Sequence, residues 1–182
     1  MRAVEQEERE IRDKMRLAAS LSAELSEMAM SQNYSIPKIK FVQERDLSDY
    51  LHKQMETWMK NGKRYDNTWW GYQDHSFTEQ YEEFIESSWK FDPSVKVRFF
   101  SNRADIEGEM EKRHGERRVR PLPPGNEFDS SLWVAGDYIL MVRTREKPHY
   151  LVEIYDPVLA RNQRQLFKML WDSAKETQYK AD

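Results

Sequence analysis

The stretch from Trp70 to Asp74 combines residue types that suit a small-molecule binding site. Aromatic ring faces cover the C–H faces of a polyhydroxylated ligand, while amide and carboxylate groups bind its hydroxyls. The binding hypothesis takes Trp70, Gly71, Gln73 and Asp74 as ligand contacts. The structural alternative is that Trp69 and Trp70 straddle a sheet as core residues and that Asp74 is a helix cap. Both interpretations stay open from the residues alone.

Two further segments are predicted to face the same pocket. In sheets with helical crossovers, ligands usually bind outside the carboxyl ends of the strands, where loops lead into helix N-termini. Ser101-Asn102-Arg103 follows a strand-like run, and Asn126 to Ser131 forms a polar loop before another one. We therefore add Ser101, Arg103, Asp129 and Ser130 to the predicted ligand-binding residues.

The residues that commonly carry catalysis form no recognisable set. The chain has no cysteine, which excludes disulfides, thiolate nucleophiles and cysteine-bound metal. It has no glycine-rich phosphate loop and no H-E-x-x-H motif, and its four histidines are scattered singly. Most of its 32 acidic residues are expected on solvated helix faces, so no carboxylate pair is singled out. We predict no catalytic residue, no metal site and no cofactor.

One basic cluster hints at phosphate binding. Glutamates are interleaved with it, and arginines that alternate along a strand commonly line a solvated edge. The net charge of −3 also provides no general attraction for nucleic acid. We therefore expect no direct nucleic-acid binding by this cluster, which comprises Lys112, Arg113, His114, Arg117, Arg118 and Arg120.

Length and composition indicate one globular domain with an appended helix. The chain has 182 residues, and 38% hydrophobic residues are enough to build a core. No apolar run approaches the roughly 20 residues of a membrane span, and the charged start has no apolar segment typical of a signal peptide. We predict a cytoplasmic protein without membrane contact.

The first 30 residues have the pattern of a coiled-coil helix. Residues 3–30 contain neither proline nor glycine, and apolar residues recur at heptad spacing. The polar segment Ser31 to Pro37 breaks this pattern. The predicted domains are therefore residues 1–31, a dimerisation helix, and residues 36–178, a compact domain. The predicted dimerisation residues are Ile11, Ala18, Leu21, Leu25 and Met28.

The rest of the chain alternates strand-like and helix-like runs and then changes to consecutive strands. Three strand–helix units precede three short strands that are joined by tight turns at Gly136-Asp137 and Lys147-Pro148. This order predicts an α/β fold with a mixed, mostly parallel sheet flanked by helices. A last helix from Pro157 to Tyr179 is predicted to face the core with Leu159, Gln163, Leu166, Phe167, Leu170, Trp171 and Ala174.

The segments PKIKFVQERDLSDYL, VKVRFF, LWVAGDYILMV and LVEIYDPVLARNQRQLFKMLWDSAK carry a resemblance over about three quarters of the chain. From Ile36 to Lys175 the chain resembles the effector domain of TrmB-type transcriptional regulators, whose fold is related to the phospholipase D superfamily. Such regulators begin with a winged-helix DNA reader followed by a coiled-coil linker. Here the linker-like helix begins at Met1, so the resemblance implies either a fragment or a variant that works without the winged helix.

Phospholipase D chemistry uses the motif H-x-K-x-x-x-x-D, in which histidine attacks phosphorus and lysine neutralises phosphate oxygens. If Asp137 were the aspartate of this motif, Ser130 and Leu132 would occupy the histidine and lysine positions. No histidine elsewhere has a lysine two residues later. Asp137 is therefore predicted to be a turn residue, with Gly136 supplying a positive φ in a two-residue hairpin.

The leading hypothesis is a noncatalytic sensor domain that binds a small metabolite, such as a sugar, and signals through a dimerising N-terminal helix in transcriptional regulation. The expected partners are a second copy of the chain and the ligand. The alternative is a stand-alone interaction module whose helix pairs with a separate DNA-binding or effector protein. A third hypothesis is a diverged phosphodiesterase, which requires a nucleophile that the sequence does not reveal.

Overall fold

The structure, a computed structural model, describes residues 14–15, 36–102, 104–122 and 125–174. The chain divides into two compact units, residues 1–36 and 37–182. Of the predicted coiled-coil helix, only Lys14 and Met15 are described, and both are helical. The predicted dimerisation residues lie outside the described part; they are Ile11, Ala18, Leu21, Leu25 and Met28.

The described part of the second unit contains seven strands and five helices. They follow the alternation that the sequence predicts, and the last helix is described as far as Ser173. In chain order they are β1 (Lys38–Gln43), α1 (Glu44–Gly62), β2 (Thr68–Gln73), α2 (His75–Gln80), α3 (Glu82–Phe91), β3 (Lys96–Ser101), α4 (Ala104–Arg113), β4 (Arg117–Pro121), β5 (Ser131–Ala135), β6 (Tyr138–Arg143), β7 (Tyr150–Tyr155) and α5 (Pro157–Ser173).

The strands form one sheet in the order β1-β7-β6-β5-β2-β3-β4. This confirms the predicted α/β class with a mixed sheet flanked by helices. The predicted predominance of parallel pairing is wrong, because only β2–β3 and β3–β4 are parallel and the other four pairings are antiparallel. The reason is the position of β1, which pairs with β7 at the far edge instead of lying beside β2.

Helices cover the two faces of the sheet unequally. The main core lies on the face of α1 and α3, where α1 buries the apolar stripe that the sequence predicts: Leu47, Leu51, Met55, Trp58 and Met59. A smaller core lies on the other face, where α5 packs with Ala160 and Phe167. Neighbouring residues of a strand point to opposite faces. Trp69 therefore joins the first core and Trp70 the second, so the tryptophans straddle the sheet.

The buried face of α5 differs from the predicted stripe. Phe167 is buried as predicted, but its buried companions are Ala160 and Arg164, whereas Leu166 and Leu170 are about half exposed. Arg164 belongs to the buried face, where its guanidinium donates to the Gly136 carbonyl oxygen at 2.7 Å. The spacing of apolar residues does not predict a charged residue that is buried beside a specific hydrogen-bond acceptor.

The β5–β6 turn at Gly136 lies against the end of α1. Gly136 has φ 60°, in the left-handed region that favours glycine. A Cβ atom there would overlap Asn61 Oδ1 and lie 2.8 Å from the Asn61 carbonyl carbon. The turn therefore requires glycine both for its backbone conformation and for its close packing.

We expect Gly136→Ala to lower the free energy of unfolding by more than about 1 kcal/mol, because alanine is strained at this φ and meets Asn61. The matched control is Gly108→Ala in α4, where an added Cβ meets no atom within 4 Å. That variant should be stabilised by about 0.5–1 kcal/mol, since alanine is the better helix former. Urea unfolding of both variants tests the prediction, which fails if their effects have the same sign.

Candidate functional site

A buried carboxylate organises the carboxyl ends of the central strands. Asp74 follows β2 and is fully buried. Arg145 donates to it from Nη2 at 2.7 Å and from Nε at 3.3 Å. Ser76 Oγ donates at 2.5 Å, and Asn102 Nδ2 donates at 3.2 Å. Four hydrogen bonds, two of them from a charged donor, therefore stabilise an ionised carboxylate that is shielded from solvent.

The loop before β5 lies over this carboxylate and is held by side chains. Asn102 donates to the Phe128 carbonyl oxygen at 2.6 Å and accepts from the Phe128 N–H at 2.9 Å. The Phe128 ring stacks on Tyr72 with a centroid distance of 3.8 Å. Arg145 also pairs with Asp129 at 2.6 Å and with Glu127 at 2.8 Å. We call Asp74, Ser76, Asn102, Glu127, Asp129 and Arg145 the Asp74 cluster.

The Asp74 cluster is rich in negative charge. It contains three carboxylates, those of Asp74, Glu127 and Asp129, around the single guanidinium of Arg145. Burial by itself would raise the pKa of Asp74, but the hydrogen bonds from Arg145 and Ser76 and the charge of Arg145 lower it. The hydrogen bond and the charge of Asp74, together with those of Glu127, raise the pKa of Arg145. Both groups therefore stay charged.

Ser76 has another role than a capping-box residue. The segment Ser76-Phe77-Thr78-Glu79 has the S-x-x-E pattern of a capping box, which predicts that Ser76 precedes a helix, but α2 begins at His75 and Ser76 lies inside it. The Ser76 hydroxyl is buried between Asp74 and Thr144 Oγ1, which is 2.8 Å away. The buried carboxylate competes successfully for the hydroxyl because a charged acceptor makes the stronger hydrogen bond. The capping-box prediction is therefore wrong.

His75 is the imidazole nearest to the cluster among the described residues. Its Nδ1 lies 3.1 Å from Asp74 Oδ1. The angles do not fit a hydrogen bond, so this buried nitrogen has no donor or acceptor partner. The contact is therefore short but weak as a hydrogen bond, since hydrogen bonds weaken steeply when misaligned. Asp74 therefore does not orient His75 as a catalytic carboxylate orients a histidine.

Gln73 belongs to a second buried network behind the Asp74 cluster. Its amide donates to Thr78 Oγ1 at 2.7 Å and to Glu107 Oε1 at 3.0 Å. Glu107 in turn forms a buried ion pair with Arg117. This network ties β2, α2, α4 and β4 together, so Gln73 faces the interior and not a ligand at the strand ends.

A small cavity adjoins the second network. It measures about 40 Å³ and is lined mainly by aromatic and aliphatic side chains, with Gln73 and Arg117 among its polar walls. Three buried nitrogen atoms of its lining residues have no hydrogen-bond partner: Trp69 Nε1, Trp133 Nε1 and Arg117 Nε. A volume of this size holds about three water molecules, which would supply the missing acceptors.

The other predicted ligand contacts are dispersed. Trp70 packs against Trp171 on the α5 face and donates to Asp66 Oδ2 at 3.3 Å. Gly71 allows close approach of β5, since an added Cβ would overlap the Leu132 carbonyl oxygen. Ser101 is buried at the end of β3, and Ser130 is half-buried beside Asp129. Arg103 lies outside the described residues.

The structure thus places Asp74 and Asp129 of the predicted set in one cluster. Sequence reasoning missed Arg145 and Ser76 as their partners, and it named Asn102 only as part of a segment. Arg145 is 71 residues from Asp74, and no local motif links the two. The one available signal in the sequence was the position of Asp74, a charged residue directly after a buried strand.

Asp137 lies at the other end of β5 and has a structural environment. Its buried carboxylate accepts hydrogen bonds from the Tyr65 hydroxyl, from Asn61 Nδ2 at 3.3 Å and from Arg64 Nη1 at 3.4 Å. Its backbone N–H donates to Asn61 Oδ1 at 2.6 Å. The hydrogen bond to Asp137 also raises the pKa of Tyr65. Asp137 is therefore a turn residue that also anchors the end of α1.

The basic cluster of the sequence does not exist as one surface. Arg113 pairs with Glu82 and Glu86, while His114 stacks on Trp89. Arg117 is buried with Glu107, whereas Arg118 is exposed on the other face of the sheet. The alternation of β4 separates these neighbours in sequence.

The described residues offer neither a metal site nor a membrane-spanning helix. In residues 36–102, 104–122 and 125–174 and at Lys14 and Met15, no three histidine or acidic side chains are grouped so that they could bind a metal ion. None of the helices in these ranges has the length and apolar character to cross a membrane.

The seven-stranded mixed sheet and its flanking helices form an α/β domain with the phospholipase D-like fold. NucT from Helicobacter pylori, which has this fold, superimposes with a TM-score of 0.50 at 9% identity, covering 76% of this chain and 98% of NucT. TrmBL2, described as an archaeal chromatin protein with a novel mode of DNA binding, superimposes with a TM-score of 0.46 at 14% identity. That match covers 90% of this chain and 64% of TrmBL2, so this chain spans less than two thirds of its length.

The likeness to NucT supports the phospholipase D-like fold that the sequence indicated. No protein-family model and no curated protein matches the sequence. At 9% identity the likeness to NucT shows the fold alone.

We expect Arg145→Gln to move the acid-unfolding midpoint to higher pH. In the wild type the pKa of Asp74 is lowered, so its stabilising contribution is complete above the unfolded value of about 3.9 and is lost as the pH falls through the lower folded value. Without Arg145, burial raises this pKa and the loss begins at higher pH. Circular dichroism at 222 nm against pH measures the midpoint. Arg143→Gln, which removes an exposed pair with Glu146, should leave it unchanged.

We expect Glu107→Ala to lower the free energy of unfolding by roughly 3–5 kcal/mol, because it leaves the buried Arg117 charge without a partner. Glu109→Ala on the same helix removes an exposed pair with Lys112 and should have little effect. Denaturant unfolding of both variants measures the difference. Equal stabilities would show that Arg117 is compensated in another way.

Proposed function

We propose that this chain is a noncatalytic regulatory domain that binds a small polyhydroxylated metabolite, such as a sugar, at the Asp74 cluster. The observation that carries this proposal is the composition of the cluster, whose accessible part offers the carboxylates of Glu127 and Asp129 and the guanidinium of Arg145 at the strand ends. Hydroxyl groups of a neutral ligand hydrogen-bond well to such groups. A phosphate would be repelled by the excess of negative charge.

The same composition argues against phosphodiester hydrolysis. A histidine nucleophile needs a carboxylate to orient it and a cation to receive the phosphate. His75 has no hydrogen bond to Asp74, and Arg145 is already engaged by Asp74, Glu127 and Asp129. Ser130 and Leu132 occupy the positions where the phospholipase D motif has histidine and lysine.

Ligand binding would act first on the exposed pairs of Arg145. Asp129 and Glu127 are largely exposed, so a ligand hydroxyl can replace either partner without opening the core. The same guanidinium donates to the Phe128 carbonyl oxygen at 3.0 Å, which links ligand occupancy to the position of the loop. In the proposed mechanism, the ligand binds one arrangement of a homodimer more tightly and so shifts the equilibrium between arrangements. In this proposal the helix that the sequence predicts over residues 1–31 holds the two copies together through its heptad pattern.

The alternative function is an interaction module whose N-terminal helix pairs with a separate DNA-binding or effector protein. The observation that favours it is the saturation of Asp74, whose two oxygens already accept four hydrogen bonds from within the chain. Because its most buried carboxylate already has its hydrogen bonds, the cluster can serve the fold without binding a ligand. The two functions differ in whether a metabolite stabilises the protein.

A thermal-shift screen against sugars, sugar phosphates, nucleotides and amino acids tests the proposal. A ligand at 100 times its dissociation constant adds about 2.7 kcal/mol to the free energy of unfolding. Asp129→Asn removes a surface carboxylate of the cluster and should weaken binding about tenfold, which lowers this gain by about 1.4 kcal/mol. Glu146→Gln is the matched control, because it makes the same charge change in an exposed pair outside the cluster.

The screen separates the two functions. A neutral sugar that stabilises the wild type and Glu146→Gln, but stabilises Asp129→Asn less, supports the sensor. A flat response from the whole panel excludes it in favour of the interaction module. In that case, capture of one stoichiometric protein by the intact chain, lost on Leu21→Glu and Leu25→Glu, is the expected result.

A further inference from the structure

The outer face of β3 and β4 carries four positive charges that lie apart in sequence. Lys96 and Arg98 alternate on β3, and Arg118 and Arg120 alternate on β4. The parallel register places Arg98 directly beside Arg118 and Phe100 beside Arg120. Phe100 and Arg120 both contact Trp171 of α5, which shows that these side chains point away from the main core.

These charges have no acidic partner in the parts of the chain that the structure describes. Arg98 Nη1 donates to the carbonyl oxygens of Val97 and Glu116, each at 2.8 Å. Arg118 Nη1 donates to the carbonyl oxygens of Gly115 at 2.7 Å and Arg117 at 2.6 Å. Backbone oxygens thus hold both guanidinium groups in place but do not neutralise them.

The nearby acids are engaged elsewhere or act from a distance. Glu111 Oε1 accepts the backbone N–H of Val119 at 2.5 Å. Burial lowers the pKa of Arg98, and the charges of Arg118 and Arg120 lower it further, while Glu116 and Glu111 act in the opposite sense. The neighbouring guanidinium groups therefore repel each other in the unliganded protein.

Arg120 has a structural role that the other three charges lack. Its Nη1 donates to the carbonyl oxygens of Trp171 and of Ala174, the latter at 2.7 Å, at the end of α5. Its guanidinium also lies 4.2 Å from the centre of the Trp171 ring. Lys96 and Arg118 are exposed and Arg98 is half-buried, so these three remain accessible to a ligand.

We propose that Lys96, Arg98 and Arg118 form a binding site for phosphate groups. Neighbouring strands are about 4.8 Å apart, and alternate residues of a strand are about 6.6 Å apart, so the three side chains can converge on one phosphate or contact two adjacent ones. A phosphate between Arg98 and Arg118 replaces their repulsion with charge-assisted hydrogen bonds. The phosphate belongs either to a phosphorylated small molecule or to a nucleic-acid backbone. The site is separate from the Asp74 cluster and goes beyond the proposed function.

The test uses the full chain at low salt. Pyrophosphate binding is measured by calorimetry in the wild type, Arg98→Gln, Arg118→Gln and the control Arg45→Gln. Arg45 lies on α1, is largely exposed and contacts Asp46, so its replacement makes the same change of residue type and charge elsewhere. We expect the wild type and Arg45→Gln to bind equally and both site variants to bind at least tenfold more weakly. The melting temperature of unliganded Arg118→Gln should equal or exceed that of the wild type, since one repulsive charge is removed.

A second arm identifies the source of the phosphate. Fluorescence anisotropy with a labelled duplex of mixed sequence is measured for the same four proteins. Duplex binding that Arg118→Gln weakens and Arg45→Gln retains assigns the site to a nucleic-acid backbone, whereas pyrophosphate binding alone assigns it to phosphorylated small molecules. The proposal is overturned if the wild type binds neither probe, or if Arg118→Gln binds as tightly as Arg45→Gln.

Discussion

The tight turn at Gly136 and Asp137 is the constraint on which the rest of the fold depends. Asn61, at the end of α1 on one face of the sheet, bonds the backbone and carboxylate of Asp137. Arg164 of α5, on the other face, bonds the Gly136 carbonyl oxygen. The Asp156 N–H, just before α5, donates to the Asp137 carbonyl oxygen at 3.0 Å. One two-residue turn therefore fixes both helical layers to the sheet. The burial of Asp137 follows from this structural role.

The two functional candidates have opposite electrostatic character. The Asp74 cluster has more carboxylates than cations, whereas Arg98 and Arg118 on the outer face of β3 and β4 lack acidic partners in the described residues. A net charge of −3 hides this separation, because it sums over surfaces that different ligands would meet. Neutral hydroxylated ligands suit the first surface and phosphates suit the second.

A shared fold does not by itself carry a shared activity. The phospholipase D-like arrangement of strands is present, yet Leu132 packs into the small core under α5 and Ser130 is half-buried in the loop before β5. The strand ends keep a charged centre, but it consists of Asp74 and Arg145, which bind each other. Chemistry at such a site depends on which side chains the loops supply, and here they supply hydrogen-bonding groups.

The local elements follow from the sequence alone, because the spacing of apolar residues and turn residues acts over a few positions. The buried stripe of α1, the hairpin at Gly136 and the alternation of β3 follow from such patterns. Three other features are visible only in the folded chain: β1 joins the far edge of the sheet, Arg145 reaches Asp74, and Arg98 lies beside Arg118. These contacts connect residues far apart in the chain. They depend on strand pairing and on the competition of buried polar groups for partners. The residue pattern of a short segment predicts neither of these.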